Sequence, residues 1–226
     1  MTPVSRPARL DEWAPSLLKA RLYGRLLVDI IIGALQPGEH LDENALARRY
    51  DGGLAGIRDA LARLALEGLV VRKARVGTMV APLNLAEAHD TFEARRLVEI
   101  HCAGLAARHA GDGDIAAIRA TLAGGEAAIA ADDARALAEM DEAFHVAVAA
   151  ASGNRTLAKM VVTLHHQTAR FWLSTMRAPQ PEESLKALAE HASLADAIAA
   201  RDPARAQILM QGVLGAFPGK PASGSH

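Results

Sequence analysis

The sequence predicts a mainly α-helical protein in two parts: a small helical unit closed by a β-ribbon, then an antiparallel bundle of six helices. Three observations carry this. Half of the 226 residues are apolar and only 4% are aromatic, so the core must be built from Ala, Leu, Val and Ile; sequence so rich in alanine favours helix. Within residues 41–81 two helical stretches flank a glycine turn and lead into two short strand-like runs. Beyond residue 85 only helical spacing remains, cut by short Gly, Asp and Pro signals.

Taken in order, residues 1–13 mix Pro, Arg and acidic side chains without periodicity and are expected to form a mobile arm. A helix is expected from Ser16 to about Gly33, where Leu18, Leu22, Leu26, Leu27, Ile30 and Ile31 make a wide apolar stripe. Gln36-Pro37-Gly38 reads as a turn, with His40 beside it at the surface. Asp42 is placed to cap a short helix from Glu43 to Arg49. After Asp51-Gly52-Gly53 a second helix runs from Leu54 to Glu67, with Ile57, Leu61 and Leu64 facing a core and Gly68 ending it. Leu69 to Lys73 and Thr78 to Ala81 form the ribbon, turning through Val76 and Gly77. Helix, turn, helix, ribbon is the order of a winged helix-turn-helix, whose second helix enters the DNA major groove. This unit is expected to span residues 14–82.

Pro82 to Asn84 marks a boundary, and a second, all-helical domain is expected over residues 85–217. Its helices are read as about 85–110, 114–131, 134–152, 154–177, 183–201 and 203–216; short links imply antiparallel neighbours. The tail from Pro218 is rich in Gly, Pro and Ser and reads as disordered.

Composition narrows the function. No apolar stretch is long enough to cross a membrane and the N-terminus has no signal-type segment, so a cytoplasmic protein is expected. Cys102 is the single cysteine, which excludes an intrachain disulfide and is read as a small buried hydrophobe. Residues 1–83 hold 12 Lys and Arg against 9 Asp and Glu, while the remainder is acidic; a DNA-binding unit wants that asymmetry. Candidate DNA contacts are Arg48 and Arg49 at the end of the short helix, Arg58 on the second, and Arg75, Gly77 and Thr78 in the ribbon turn.

In the second domain, Asp141 and His145 lie four residues apart and so share a helix face. A carboxylate and an imidazole so placed can hold a divalent metal, or form a surface hydrogen bond. His191 lies on another helix whose Leu188, Leu194 and Ile198 face the core, as a ligand or as an ordinary core histidine.

The runs PGEHLDENALA, IRDALARLALEGLV and RVGTMV resemble the DNA-binding domain of the GntR family of bacterial transcription regulators. Gly53, Leu54, Ala55 and Gly56 depart from the family's usual Ser-Arg-Thr-Pro, at positions that help contact phosphate and bases. FEARRLVE, DEAFH, SGNRTL and EHASLADAIAARD occur in the order of the FCD effector domain, the sensor of the FadR-like branch. The resemblance implies a homodimer on a double-stranded DNA operator, controlled by a small carboxylate-type effector. It implies a metal (Zn, Ni or Mn) on Asp141, His145 and His191, with Val213 where a fourth ligand, a histidine, usually stands. It also implies effector binding by Arg95, Asp141, His145 and His191, with Arg170 a further candidate of the same kind. For Arg95 an ion pair with Glu99 stays open; His165 and His166 either line the pocket or lie exposed. Two other functions stay open: a ligand or metal sensor with weakened DNA binding, and a metal-dependent hydrolase, which lacks a recognisable base or nucleophile motif.

Overall fold

The computed structural model describes residues 14–74, 76–175 and 180–215. The expected N-terminal arm, the C-terminal tail and Arg75 lie outside the described residues. The chain divides after Pro82 into two compact units.

The first unit holds α1 (Ala14–Ile31), α2 (Glu43–Arg49), α3 (Leu54–Leu66), β1 (Val70–Lys73) and β2 (Gly77–Val80). The Asp42 carboxylate accepts from the Ala45 N–H at 2.7 Å, capping α2 and contributing about 1 kcal/mol. α3 ends where Gly68 adopts φ 76° and the Leu69 N–H returns to the Leu64 carbonyl at 2.9 Å. Leu22, Leu26 and Ile30 of α1 are buried, as are Ile57, Leu61 and Leu64 of α3. Removing each such side chain from water is worth roughly 1.5–3 kcal/mol. β1 and β2 pair antiparallel, Val70 opposite Val80 and Lys73 opposite Gly77. Leu22 also accounts for two glycines: a Cβ at Gly52 or at Gly56 would come within 2.7 Å of its methyl carbons. The departure at Gly56 thus belongs to the packing of α1 on α3.

The second unit contains α4 (Leu85–His109), α5 (Asp112–Thr121), α6 (Gly125–Ala130), α7 (Ala134–Ala151), α8 (Arg155–Thr175), α9 (Pro181–Ala199) and α10 (Pro203–Leu214). The six-helix expectation is corrected to seven among the described residues. The stretch 114–131 is two helices because Gly124, between them, takes φ 84°, a left-handed conformation that glycine adopts without steric cost. Gly125 then lets α6 lie close on its neighbours; a Cβ there would meet Leu188 at 2.9 Å and Met140 at 3.0 Å. α4 packs against α7, α8 and α10, and Ala103, Ala106 and Ala107 of α4 share one core with Phe144, Val148, Leu194, Ile198 and Met210. The small side chains on α4 let those helices approach. No helix among the described residues is long and apolar enough to cross a membrane.

Candidate functional site

Three helices of the second unit bring imidazoles to one carboxylate. Asp141 and His145 stack on α7, with His145 Nε2 3.7 Å from Asp141 Oδ1. His191 on α9 places its Nε2 3.3 Å from the same oxygen. His165 on α8 places its Nε2 3.7 Å from Asp141 Oδ2. One ligand atom from each of Asp141, His145 and His191 lies within 4.8 Å of the others. The three histidines are buried, whereas the Asp141 side chain is 42% exposed, which leaves the cluster open at the carboxylate. Phe144 stands edge-on to His191, ring centres 4.6 Å apart, and closes the apolar side.

The far side of each ring is tied. His145 Nδ1 meets Glu99 Oε2, and His191 Nδ1 donates to the Ala187 carbonyl at 2.7 Å. His165 Nδ1 lies 2.9 Å from Arg95 Nη2. Arg95 also donates from Nε to Glu99 Oε1 at 2.5 Å and from Nη1 to Thr168 Oγ1 at 2.9 Å. Arg95 is only 5% exposed, so of the two readings left open for it the structure contains the ion pair with Glu99. Its guanidinium faces protein groups, where the resemblance had implied an effector carboxylate.

Charge follows from these contacts. Burial raises the Glu99 pKa, but Arg95 and His145 outweigh it and hold the group at about 2. Burial likewise opposes ionisation of Asp141, and the surrounding histidines still carry its pKa well below the ordinary carboxylate value. His165 is pushed well below the usual histidine value by burial and then by Arg95. At His191 burial acts downward, and the Asp141 carboxylate outweighs it to give a net rise.

Asp141, His145 and His191 fit a divalent ion. Each of the two histidines commits Nδ1 to an acceptor and turns Nε2 toward Asp141, the arrangement that orients imidazole ligands in metal centres. His191 Nε2 is buried without a hydrogen bond of its own. Val213 is half-buried and packs on the apolar bundle core. His166 is buried but points elsewhere, pairing with Glu142 at 2.8 Å. Arg170 is half-buried; burial lowers its pKa and nearby Glu87 opposes that. Sequence reasoning named Glu99 only as a partner for Arg95 and missed Thr168. One signal was available: Phe92, Arg95, Glu99, Cys102 and Ala106 recur at helical spacing, and all five are buried on α4.

In the first unit, α3 turns Leu54, Ala55, Arg58 and Asp59 outward, and Leu54 is 39% exposed. Arg58 Nε pairs with Glu43 Oε2 at 2.6 Å, which steadies the guanidinium on the outer face. Asp59 pairs with Lys19 at 2.6 Å. Arg48 is exposed. Arg49 is drawn inward by buried Asp29, 3.0 Å away, which also accepts from the Tyr50 hydroxyl at 2.5 Å. Gly77 has φ 106°, and a Cβ there would strike the His40 ring. The Thr78 carbonyl accepts from the Leu41 N–H at 2.8 Å.

Comparison with known proteins agrees with the two-unit fold. Residues 18–80 match the bacterial regulatory proteins of the gntR family, and residues 90–216 match the FCD domain. The chain is 35% identical over 200 residues to the HTH-type transcriptional repressor GlaR of Escherichia coli (strain K12), spanning 84% of this chain and 89% of that protein. It is 29% identical to the HTH-type transcriptional regulator LutR of Bacillus subtilis (strain 168) over 79% of this chain and 89% of LutR. The solved structure of E. coli McbR/YncC shares the fold, with a TM-score of 0.76 at 20% identity over 87% of this chain and 93% of that one. With both domain matches in chain order and a relative aligned over most of its length, the chain belongs to the GntR family of bacterial transcriptional regulators, with an FCD domain following its helix-turn-helix.

Proposed function

We propose that this regulator binds a two-fold DNA operator as a homodimer and that a small organic acid in the helical bundle alters its affinity for that operator. The observation that carries the reading is the convergence of Asp141, His145 and His191, all ligand atoms within 4.8 Å. A divalent ion held there would supply a positive centre for an effector carboxylate. This chain's residues would orient that centre, keep its inner side dry and leave the exposed face of Asp141 as the entry. Arg170 is the cation we assign to the effector's second acidic group. In the DNA-binding unit, Arg58, Arg48, Gly77 and Thr78 are the proposed contacts. Arg49 is proposed to reach phosphate only at its exposed edge.

An acid that favours one bundle conformation can shift DNA affinity only by its difference in affinity for the two conformations. The test is a titration of the full chain against a randomised duplex pool over a salt series. It is run with zinc, nickel or manganese, then with small mono- and dicarboxylic acids added. Operator affinity that changes with acid only when metal is present supports the reading; affinity indifferent to every acid and metal defeats it. The hydrolase alternative lapses with the family assignment, since these regulators are not enzymes.

A further inference from the structure

The hydrogen bonds on the far side of the three rings dictate where their Nδ1 protons sit. A guanidinium donates only, so His165 Nδ1, 2.9 Å from Arg95 Nη2, must accept and carries no proton. The neutral ring therefore bears its hydrogen on Nε2, the atom facing Asp141 Oδ2. The Ala187 carbonyl accepts only, so His191 Nδ1 is protonated. Glu99, fixed at its other oxygen by Arg95, receives the His145 Nδ1 proton in the same way. Two rings thus commit Nδ1 and leave Nε2 as the atom turned toward Asp141 Oδ1, and the third turns an N–H toward Oδ2.

We infer that Arg95 and His165 are positioning residues of a three-ligand centre. Arg95 keeps the proton off His165 Nδ1, and the resulting Nε2–H faces Asp141 Oδ2 across 3.7 Å, a distance at which it attracts the carboxylate without hydrogen-bonding it, so that Oδ1 is presented between His145 and His191. The inference rests on the reading of Asp141, His145 and His191 as metal ligands. It adds that His165 does not replace the ligand missing at Val213, because a protonated ring nitrogen cannot coordinate an ion. The centre therefore keeps a coordination position for an effector oxygen, as open sites do. It also gives Arg95 a task other than contacting the effector.

The test has two independent arms. Long-range proton–nitrogen correlations on metal-free, histidine-labelled full chain report each Nδ1 directly. The expected result is Nδ1 protonated at His145 and His191 and bare at His165. In the second arm, zinc affinity is measured by competition with a chromogenic chelator for the parent, His165→Leu and His165→Gln, with melting curves for each. Glutamine can accept from Arg95 through its amide oxygen and donate to Asp141 through its amide N–H, yet it is a poor metal ligand. His165→Leu should bind zinc about 10- to 100-fold more weakly, and His165→Gln should recover most of that loss. A protonated Nδ1 at His165, unchanged zinc affinity in His165→Leu, or equal losses in both variants would each overturn the inference. If the parent holds no zinc, the metal reading fails and the inference with it. The nitrogen spectra, taken without metal, tell that failure apart from a wrong proton assignment.

Discussion

Arg95 and Glu99 form an ion pair one helical turn apart on α4, Nε to Oε1 2.5 Å, and both side chains are almost fully buried. The pair is continued by Thr168 and His165 on one side and by His145 on the other. A buried charge left without its partner is expensive, whereas removing both charges together is not.

Arg95→Met and Glu99→Gln, made singly, are therefore each expected to destabilise the bundle by about 3–5 kcal/mol. The double variant should lose less than the sum of the two. Urea denaturation of all four proteins in a double-mutant cycle measures this; additive losses would show that the pair is not coupled.

Val213 sits on the apolar core of the bundle. Val213→His is expected to lower the melting temperature of metal-free protein and to raise zinc affinity by supplying a fourth ligand. Added metal should then stabilise by mass action, about 2.7 kcal/mol at a hundredfold excess over the dissociation constant. His191→Ala in that background should erase the gain. Melting curves with and without chelator decide it, and a variant that melts low and ignores metal counts against the site.

On α3, Arg58 is held by Glu43 at 2.6 Å with its side chain still 64% exposed. Arg58→Ala should weaken DNA binding by roughly 1–3 kcal/mol if the guanidinium reads a base, or lower the salt slope if it meets phosphate. Binding isotherms that superimpose on the parent's across the salt series would remove Arg58 from the interface.

Leu54 follows the uncapped Gly53 at the start of α3. Its side chain can touch a thymine methyl but cannot make the paired hydrogen bonds that arginine makes to guanine. Leu54→Arg should shift the sequences recovered from a randomised duplex selection toward guanine. Identical recovered motifs from both proteins would place Leu54 away from the bases.

Gly56 allows Leu22 to lie against α3, where a Cβ would stand 2.7 Å from Cδ1. Leu22 is itself 1% exposed and cannot swing clear. Gly56→Ala should cost about 1–3 kcal/mol as an overpacked contact. Adding Leu22→Val, which draws back the crowding methyls, should return part of that loss. Thermal melts of the three proteins check it, and a stabilised single variant would disprove the contact.

By itself the sequence determined the elements of the DNA-binding unit, the boundary near Pro82 and the helical character of the described residues after Asn84. These follow from periodicity, caps and glycine turns, which act between residues close in the chain. The pair Asp141 and His145 was legible for the same reason: four residues on a helix place two side chains on one face. The break at Gly124 was missed although Gly124-Gly125 is itself a turn signal; the apolar spacing continues through it, and the structure shows Gly124 left-handed and Gly125 seated on Leu188 and Met140.

Tertiary structure alone decided what surrounds the carboxylate. The apolar spacing of Leu194 and Ile198 already turned His191 inward, but which carboxylate it and His165 meet depends on how α8 and α9 pack in the bundle, and no local pattern encodes that. The resemblance implied effector binding by Arg95, and its sequence neighbours show only Glu99, not Thr168 and His165 across the helix contact. Its guanidinium is buried and bonded to Glu99, Thr168 and His165, three partners that only the packing of α4 on α8 and the turn of α4 bring together.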